Sequence, residues 1–198
     1  MLGSVAGRTL DHSPVPVLVQ RPGGRRVTEI GTLLVPVDGS PGGALALGSA
    51  VALARATHAG AVLLQVVVPL AFVIARSGVG VTIGPVYYDT AWDEELLTSA
   101  QGYVSGLAAR LQRNGINAEG RVVEGQDVLM TITQTTDQID PDLIVMSTHA
   151  LTGATRAVLG SVADGVVRTT GHPVVLVRQE TAARLLEPEA THNAANPD

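Results

Sequence analysis

The sequence predicts an α/β protein with a Rossmann-like, doubly wound sheet of five parallel strands and helices on both faces. Within residues 27–178, five short apolar stretches alternate with four helical stretches, which is typical of repeated βα units. The strand stretches are almost continuously apolar, as expected for strands buried on both faces. Apolar residues make up 45% and charged residues 16% of the 198 residues, which suits one domain with a substantial core.

Strands 1 and 2 and the helix between them occupy the first part of this region. Residues 32–37 are short, apolar and β-branched, which predicts strand 1. Ser40 before Pro41 is typical of a helix N-cap followed by proline at the first helical position. We therefore expect helix 1 over about residues 43–58, followed by strand 2 over residues 61–68.

A long connection separates strand 2 from the next helix. Residues 69–91 carry several glycines and prolines yet are unusually apolar, which favours a functional cover or a disordered loop. Helix 2 is indicated by apolar residues every three or four positions, namely Trp92, Leu96, Ala100, Tyr103, Leu107 and Leu111. Asn114-Gly115 is a typical helix end.

The remaining elements follow the same alternation. They are strand 3 (residues 116–124), helix 3 (126–139), strand 4 (143–146), helix 4 (starting at Gly160-Ser161-Val162 and ending near Gly171) and strand 5 (173–177). In helix 3, the residues expected to face inward are Val128, Leu129, Ile132 and Ile139. A polar loop, residues 147–155, thus leads from strand 4 toward the start of helix 4, an arrangement that binds phosphate in open α/β sheets.

Composition excludes several classes of function. The net charge of −5 argues against nucleic acid as a partner. Every basic residue is arginine, so a Walker-type lysine is impossible, and the absence of cysteine excludes disulfides and thiolate chemistry. The most apolar run, residues 61–75, is interrupted by Gln65 and Pro69 and is too short for a membrane span. With no secretory signal in the first residues, we expect a cytoplasmic protein.

The N-terminal segment repeats the end of the domain. Residues 2–21 align without a gap on residues 159–178, at an offset of 157, with 8 identities in 20 positions. We therefore expect residues 1–26 to resemble the last helix and strand of a missing second copy, docked on strand 5 of this or a neighbouring chain. The alternative is an unrelated leader that happens to be rich in valine and proline.

Residues 179–198 are expected to be a disordered tail.

Five motifs together resemble the universal stress protein family over about residues 30–178. They are the strand and Asp-Gly-Ser at 35–40, Leu-Leu-Gln-Val-Val at 63–67, Asp-Leu-Ile-Val-Met at 142–146, Thr-His at 148–149 and Leu-Gly-Ser-Val-Ala at 159–163. The resemblance implies the strand order 3-2-1-4-5. It also implies a homodimer through strand 5 (about 173–178), to which we add the N-terminal strand at residues 15–20 as a candidate contact. Many members bind ATP or a related adenine nucleotide, and others bind none.

The resemblance implies a nucleotide site at the ends of strands 1 and 4 and at the start of helix 4. Its residues would be Pro36, Val37, Asp38, Val66, Met146, Ser147, Thr148, His149, Ala150, Gly160, Ser161, Val162 and Ala163. Asp38 would accept hydrogen bonds from a ribose, or alternatively would bond its own turn. The start of helix 4 would donate N–H groups to phosphate, or would be an ordinary helix cap. The apolar members would line the base pocket, or would simply belong to the core.

The family motif of Gly, two residues, Gly, nine residues and Gly-Ser is incomplete here. Counting back from Gly160-Ser161 places its first two glycines at Ser147 and Ala150. A Cβ at Ala150 would obstruct a positive φ and the close approach of a phosphate, whereas a φ below zero would make it harmless. Gly153 is in the same loop but not at a motif position.

We expect a universal stress protein that binds ATP or a related adenine nucleotide and acts as a dimeric stress sensor or switch. Mg²⁺ would arrive with the nucleotide. The alternative is a nucleotide-free dimerising module of the same fold that acts through a protein client. An adenylyl-transferring enzyme is disfavoured because the sequence offers neither a catalytic lysine nor a second domain. No catalytic constellation is evident, so any ATP hydrolysis would be slow and incidental.

Overall fold

The computed structural model describes residues 4–76, 91–148 and 159–178, which form a single sheet with helices on both faces. Its elements in chain order are α1 (Ser4–His12), β1 (Val17–Val19), β2 (Thr32–Val37), a 3-10 turn (Gly43–Leu45), α2 (Ala46–Thr57), β3 (Gly60–Val67), α3 (Leu70–Arg76), α4 (Ala91–Arg113), β4 (Ala118–Glu124), α5 (Val128–Ile139), β5 (Leu143–Ser147), α6 (Ser161–Thr169) and β6 (Val174–Val177). The predicted strands 1 to 5 correspond to β2 to β6.

The sheet has six strands in the order β1-β6-β5-β2-β3-β4. Strands β2 to β6 pair in parallel, whereas β1 pairs antiparallel with β6. The predicted sheet of five strands in the order 3-2-1-4-5 is therefore wrong for the whole sheet, because it omits the strand that the N-terminal segment adds at the edge. The five parallel strands lie in the order β4-β3-β2-β5-β6.

Each face of the sheet carries its own core. On one face, α2 and α4 pack through small side chains such as Ala50 and Ala108 against Leu33 and Val35 of β2. On the other face, α5 and α6 pack through Ile132 and Val166 against β3, β5 and β6. Burial on both faces explains why the strand sequences are continuously apolar rather than alternating.

The connection after β3 departs from the predicted loop. Residues 70–76 form helix α3, in which Leu70 and Val73 are exposed. In α4 the buried stripe consists of Ala100, Val104, Ala108 and Leu111. Trp92 and Leu96, the first two residues of the predicted periodic face, are exposed. A periodic apolar face continues along α4 beyond the point at which it packs on the sheet. Residues 77–90 lie outside the described part of the chain.

The N-terminal segment docks on the domain of its own chain. Strand β1 pairs with β6, and α1 buries Leu10, 3% exposed, in the core on the side of α5 and α6. The sequence predicted docking on strand 5 either of the same chain or of a neighbouring chain, and the structure shows the first of these. The origin of this segment in a second copy stays a prediction, as does the disorder of residues 179–198, which lie outside the described part.

Asp142 joins the N-terminal segment to the sheet. Its Oδ1 accepts a hydrogen bond of 2.6 Å from Arg25, and its Oδ2 accepts bonds of 2.9 and 3.0 Å from the N–H groups of Gly31 and Thr32. Burial raises the pKa of Asp142, but the two backbone N–H groups and the Arg25 guanidinium outweigh burial and hold the pKa below its ordinary value. Ionised Asp142 therefore stabilises the fold.

We expect Asp142→Asn to lower the free energy of unfolding at pH 7 by about 1–3 kcal/mol, because it weakens charge-assisted bonds. The folded-state pKa is depressed, so this stabilisation is present above the unfolded value of about 3.9 and is lost as the pH falls through the folded value. Urea denaturation from neutral pH downward should show the variant and the parent converging below roughly pH 4. Exposed Asp137, changed to Asn, is the control. A difference that does not shrink in acid would contradict this role.

Candidate functional site

A crevice opens at the carboxyl ends of β2 and β5. The two strands pair in register at Leu33↔Leu143 and Leu34↔Ile144, although both continue for three further residues. Over those further residues β2 remains paired with β3, and β5 with β6. The sheet thus divides beyond Ile144. After β2 the chain continues to β3 on one side, and after β5 it continues to β6 on the other side. Open α/β sheets bind ligands at such a point, outside the carboxyl ends of the two strands.

Three predicted site residues lie on the α6 side of this crevice. Met146, 5% exposed, belongs to the core cluster that contacts α5 and α6, and half-buried Val66 packs against this cluster. Pro36 shares this face because it follows Leu34, a member of the same cluster, by two positions in β2. Pro36, Val66 and Met146 together can form an apolar wall for a flat group such as a nucleobase.

Two other predicted residues point to the opposite face. Val37, 6% exposed, belongs to the core cluster under α2 and α4. Ser147, 8% exposed, follows Val145 of that cluster by two positions. A ligand on the α6 side can therefore reach the backbone of Val37 and Ser147 but not their side chains.

Asp38 closes the turn that leaves β2. Its Oδ1 accepts hydrogen bonds from the Ser40 N–H at 3.0 Å and from the Ser40 hydroxyl at 2.7 Å. The Ser40 hydroxyl in turn accepts a bond of 2.9 Å from the Gly43 N–H. The 3-10 turn begins at Gly43, so the helix predicted from residue 43 starts as this turn and becomes α-helical at Ala46. Asp38 is exposed, so its carboxylate is accessible to a ligand from solvent.

Gln65 and Tyr103 lie near this turn and were not predicted as site residues. Gln65 is opposite Val37 in the sheet, and its Oε1 is buried without a hydrogen-bond partner among the described residues. Burial, and then the negative charge of Asp38, raise the pKa of Tyr103, so its phenol stays neutral at physiological pH. The sequence signal for Gln65 was a single amide in an apolar strand, whereas Tyr103 resembled any other member of a helical stripe.

The start of α6 presents backbone donors without a side-chain cap. Gly160 is the N-cap residue, with φ −58° and ψ 148°, and it makes no capping bond from a side chain. Ser161 is exposed, Val162 is half-buried and Ala163 is 2% exposed. The N–H groups of these three residues open the helix, where the helix dipole favours negative charge. Asp164, also in the first turn, pairs with Arg168 at 2.5 Å.

The loop before α6 is described only at its ends. The N–H of half-buried Thr148 donates a bond of 2.9 Å to the Val177 carbonyl, which ties the end of β5 to β6. His149, Ala150 and Gly153 lie outside the described residues. The structure therefore places neither the predicted phosphate contact of His149 nor the Cβ of Ala150.

A wide groove on the opposite face is separate from this crevice. It has a volume of about 1180 Å³ and is lined mainly by apolar residues of α2, α4 and the β1–β6 edge, including Leu18, Leu47, Val51 and Leu107. None of the predicted nucleotide residues that the structure describes lines it. Among the described residues, no three His, Asp or Glu side chains converge as metal ligands, and no helix is long and apolar enough to cross a membrane.

Comparison with known proteins is consistent with this fold. A solved universal stress protein from Burkholderia pseudomallei is 23% identical, with a TM-score of 0.58, over 76% of this chain and 97% of its own. A universal stress protein solved in complex with cAMP is 22% identical, with a TM-score of 0.50, over 76% of this chain and 98% of its own. One from Archaeoglobus fulgidus is 19% identical, with a TM-score of 0.61, over 90% of this chain but only 56% of its own.

The search of curated proteins found no match. The sequence model of the universal stress protein family matches residues 29–178, which is about three quarters of the chain. The matched range contains β2 to β6 and every predicted site residue. The chain therefore belongs to the universal stress protein family.

Proposed function

We propose that this chain binds ATP or a related adenine nucleotide in the crevice between β2 and β5 and acts as a stress sensor or switch. The separation of β2 and β5 beyond Leu34↔Ile144 is the observation that carries the proposal. Strands that stayed paired to their ends would leave no room for a ligand between them. The solved complex of a family member with cAMP shows that an adenine nucleotide binds one protein of this fold.

The chemistry around the crevice suits the three parts of a nucleotide. The apolar wall of Pro36, Val66 and Met146 is suited to the adenine ring. Asp38, exposed at the end of β2, is the type of hydrogen-bond acceptor that ribose hydroxyls require. The first N–H groups of α6 are suited to the phosphates because no side chain caps them from Gly160.

We expect Mg²⁺ to bind only together with the triphosphate of the nucleotide. The described residues hold no ready-made cluster of metal ligands. Oxygen atoms of Asp38 and Ser161 are of the type that Mg²⁺ prefers, and the phosphates would supply the rest. The proposal places the protein in the cytoplasm and makes it a binder rather than a catalyst.

The test is isothermal titration of the full chain with ATP, ADP, AMP and cAMP, each with and without Mg²⁺. We expect saturable binding of at least one nucleotide, and a loss of about tenfold or more in Asp38→Ala, because a bond to a charged acceptor is removed. Asp38→Asn retains an acceptor for Ser40, so a loss confined to Asp38→Ala would assign the effect to the turn instead. The absence of heat with all four nucleotides would contradict nucleotide binding.

A nucleotide-free dimerising module is the second candidate. It is favoured by Ser147 and Ala150, which replace two glycines of the family motif, and by the use of Asp38 in its own turn. For this candidate, we expect isothermal titration of the parent chain with the nucleotides to give no heat, and we expect the Ala150→Gly variant to gain nucleotide binding. For both candidates the sequence predicts dimerisation through residues 173–178. It requires the outer edge of β6, which β1 covers.

A further inference from the structure

The N-terminal segment repeats the end of the domain in structure as well as in sequence. With the offset of 157, α1 begins at Ser4 and α6 begins at the equivalent Ser161. Strand β1, Val17–Val19, corresponds in the same way to residues 174–176 of β6. Leu10 and its equivalent Val167 are both 3% exposed and belong to the same core cluster.

The pairing of β1 with β6 has the symmetry of two identical strands. Leu18, which is equivalent to Val175, lies opposite Val175, while Val17 and Val19 lie opposite Leu176 and Val174. A second copy of β6 placed by a two-fold axis through Val175 would make the same three pairs. Such a self-complementary contact is the usual form of a two-fold dimer interface.

Backbone hydrogen bonds identify which groups of β6 face β1. The carbonyls of Pro173 and Val177 accept bonds from Ile144 and Thr148, so alternate residues 173, 175 and 177 turn their backbone groups toward β5. Residues 174 and 176 therefore turn theirs toward β1, where Val19 and Val17 are their partners. Leu18 and Val175 form the intervening non-hydrogen-bonded pair, in which the Cα atoms are about 4.5 Å apart.

We propose that residues 4–25 stand in for a second copy of this domain, cover the edge of β6 and hold the chain as a monomer. Without β1, the four buried apolar residues of β6 would present an unpaired edge that recruits another strand. The edge that β1 offers in exchange is only three residues long, and Pro14, Pro16 and Pro22 around it have no N–H groups. Short, proline-flanked edges resist further pairing.

Polar contacts after β1 fasten the segment to the domain. The Arg21 side chain donates to the Arg168 carbonyl, and the Arg25 N–H donates to the Gly171 carbonyl at 3.0 Å. The Arg25 side chain pairs with Asp140 and with Asp142. The match to the Archaeoglobus fulgidus structure extends beyond residues 29–178, and that protein is considerably longer than the present chain. The match is therefore consistent with a segment that completes a second, partial unit.

The first test compares molar masses by light scattering. We expect the full chain to be a monomer of 20.4 kDa. Val17→Pro/Val19→Pro, which removes the two N–H groups that face β6, should roughly double the mass in a concentration-dependent way. A Val15→Pro variant, outside the strand, is the control. A parent chain that is already dimeric, or a folded double variant that stays monomeric, would overturn the proposal.

The second test uses the absence of native cysteines. In the parent background, Leu18→Cys/Val175→Cys should form a disulfide within one chain, because directly opposite Cα atoms lie within disulfide range. A disulfide between chains would mean that the segment docks on a neighbour, which contradicts the proposal. This result does not depend on the stability of the proline variants.

The third test locates the two-fold axis. Val175→Cys added to the Val17→Pro/Val19→Pro variant should link two chains, because Val175 meets its own copy at the axis. Val177→Cys should not, since the two copies of this residue would be roughly 13 Å apart along the strands. Equal linking at both positions, or at neither in a dimeric variant, would rule out the β6–β6 contact.

Discussion

Gly160→Asp is expected to weaken adenine-nucleotide binding roughly a hundredfold without destabilising the fold. A carboxylate at the N-cap would lie at the site proposed for phosphate, and two unit charges about 5 Å apart repel by about 3 kcal/mol at an effective dielectric constant of 20. The same carboxylate can cap α6, which Gly160 leaves without a side-chain bond, so stability should be unchanged or raised by a few tenths of a kcal/mol.

The backbone at Gly160 accepts this change. Its φ of −58° and ψ of 148° are ordinary for residues with a Cβ, so strain does not complicate the comparison. Binding would be followed by isothermal titration and stability by thermal unfolding of the same samples. Weaker nucleotide binding together with unchanged or higher stability would indicate that the start of α6 binds phosphate and does not serve only as a structural helix start.

Gly160→Asn is the matched control for charge. Asparagine caps a helix about as well as aspartate and has nearly the same size. We expect it to bind nucleotide far better than the Asp variant. Equal losses in both variants would indicate that side-chain bulk, not charge, excludes the ligand. No loss in either would place the phosphates away from α6 and contradict the proposed site.

The strands were predictable because their signals are local. β2 and β5 are continuous apolar runs with polar or turn residues at their ends, and their observed bounds, Thr32–Val37 and Leu143–Ser147, differ from the predicted ones by at most one residue. A strand buried on both faces must be apolar throughout, whatever its neighbours. The α/β class follows from the alternation of such runs with helices.

The features that the sequence did not predict depend on partners. Trp92 and Leu96 continue the apolar period of α4 but are exposed, because periodicity does not reveal where the packing partner ends. The sixth strand depends on pairing across most of the chain, from Val17 to Leu176. The repeat in the sequence predicted that the segment would dock on strand 5 of this chain or of a neighbouring chain, but it did not distinguish between the two; the structure pairs β1 with β6 of its own chain.

The candidate site shows the same division between local and distant causes. The motif around Asp38 indicated both a ribose contact and a turn, and the structure shows that the Ser40 bonds of the turn are present. The opening between β2 and β5 arises from strand pairing, which no local pattern encodes. Likewise, the sequence could not predict Gln65 as a site residue, because its buried oxygen lies near the turn only as a result of the pairing of Gln65 with Val37.

Gly120→Ala is expected to destabilise the protein by about 2–3 kcal/mol, as overpacking of a core does. Gly120 lies in β4 opposite Leu63, and a Cβ added to it would lie 2.8 Å from both the carbonyl carbon and the oxygen of Val104. Val104 is fully buried in α4, and its backbone cannot move unless the helix moves. The new methyl group therefore forces α4 away from the sheet. Urea denaturation at pH 7 would measure the loss.

Gly165→Ala tests whether the loss of stability depends on the added methyl group meeting backbone atoms, as at Gly120, or side-chain atoms. Its added Cβ would overlap the Leu129 Cδ2 atom and would lie 2.7 Å from the Leu129 Cδ1 atom, so the contact is closer than the one at Gly120. However, the end of a leucine side chain can rotate at a cost of about 0.5–1.5 kcal/mol, and replacing helical glycine by alanine gains about 1 kcal/mol. We therefore expect a net change within about 1 kcal/mol of zero. A loss as large as that of Gly120→Ala would mean that α5 and α6 are as rigidly fixed as α4. The start of α6 could then not adjust to a bound phosphate without disturbing the core.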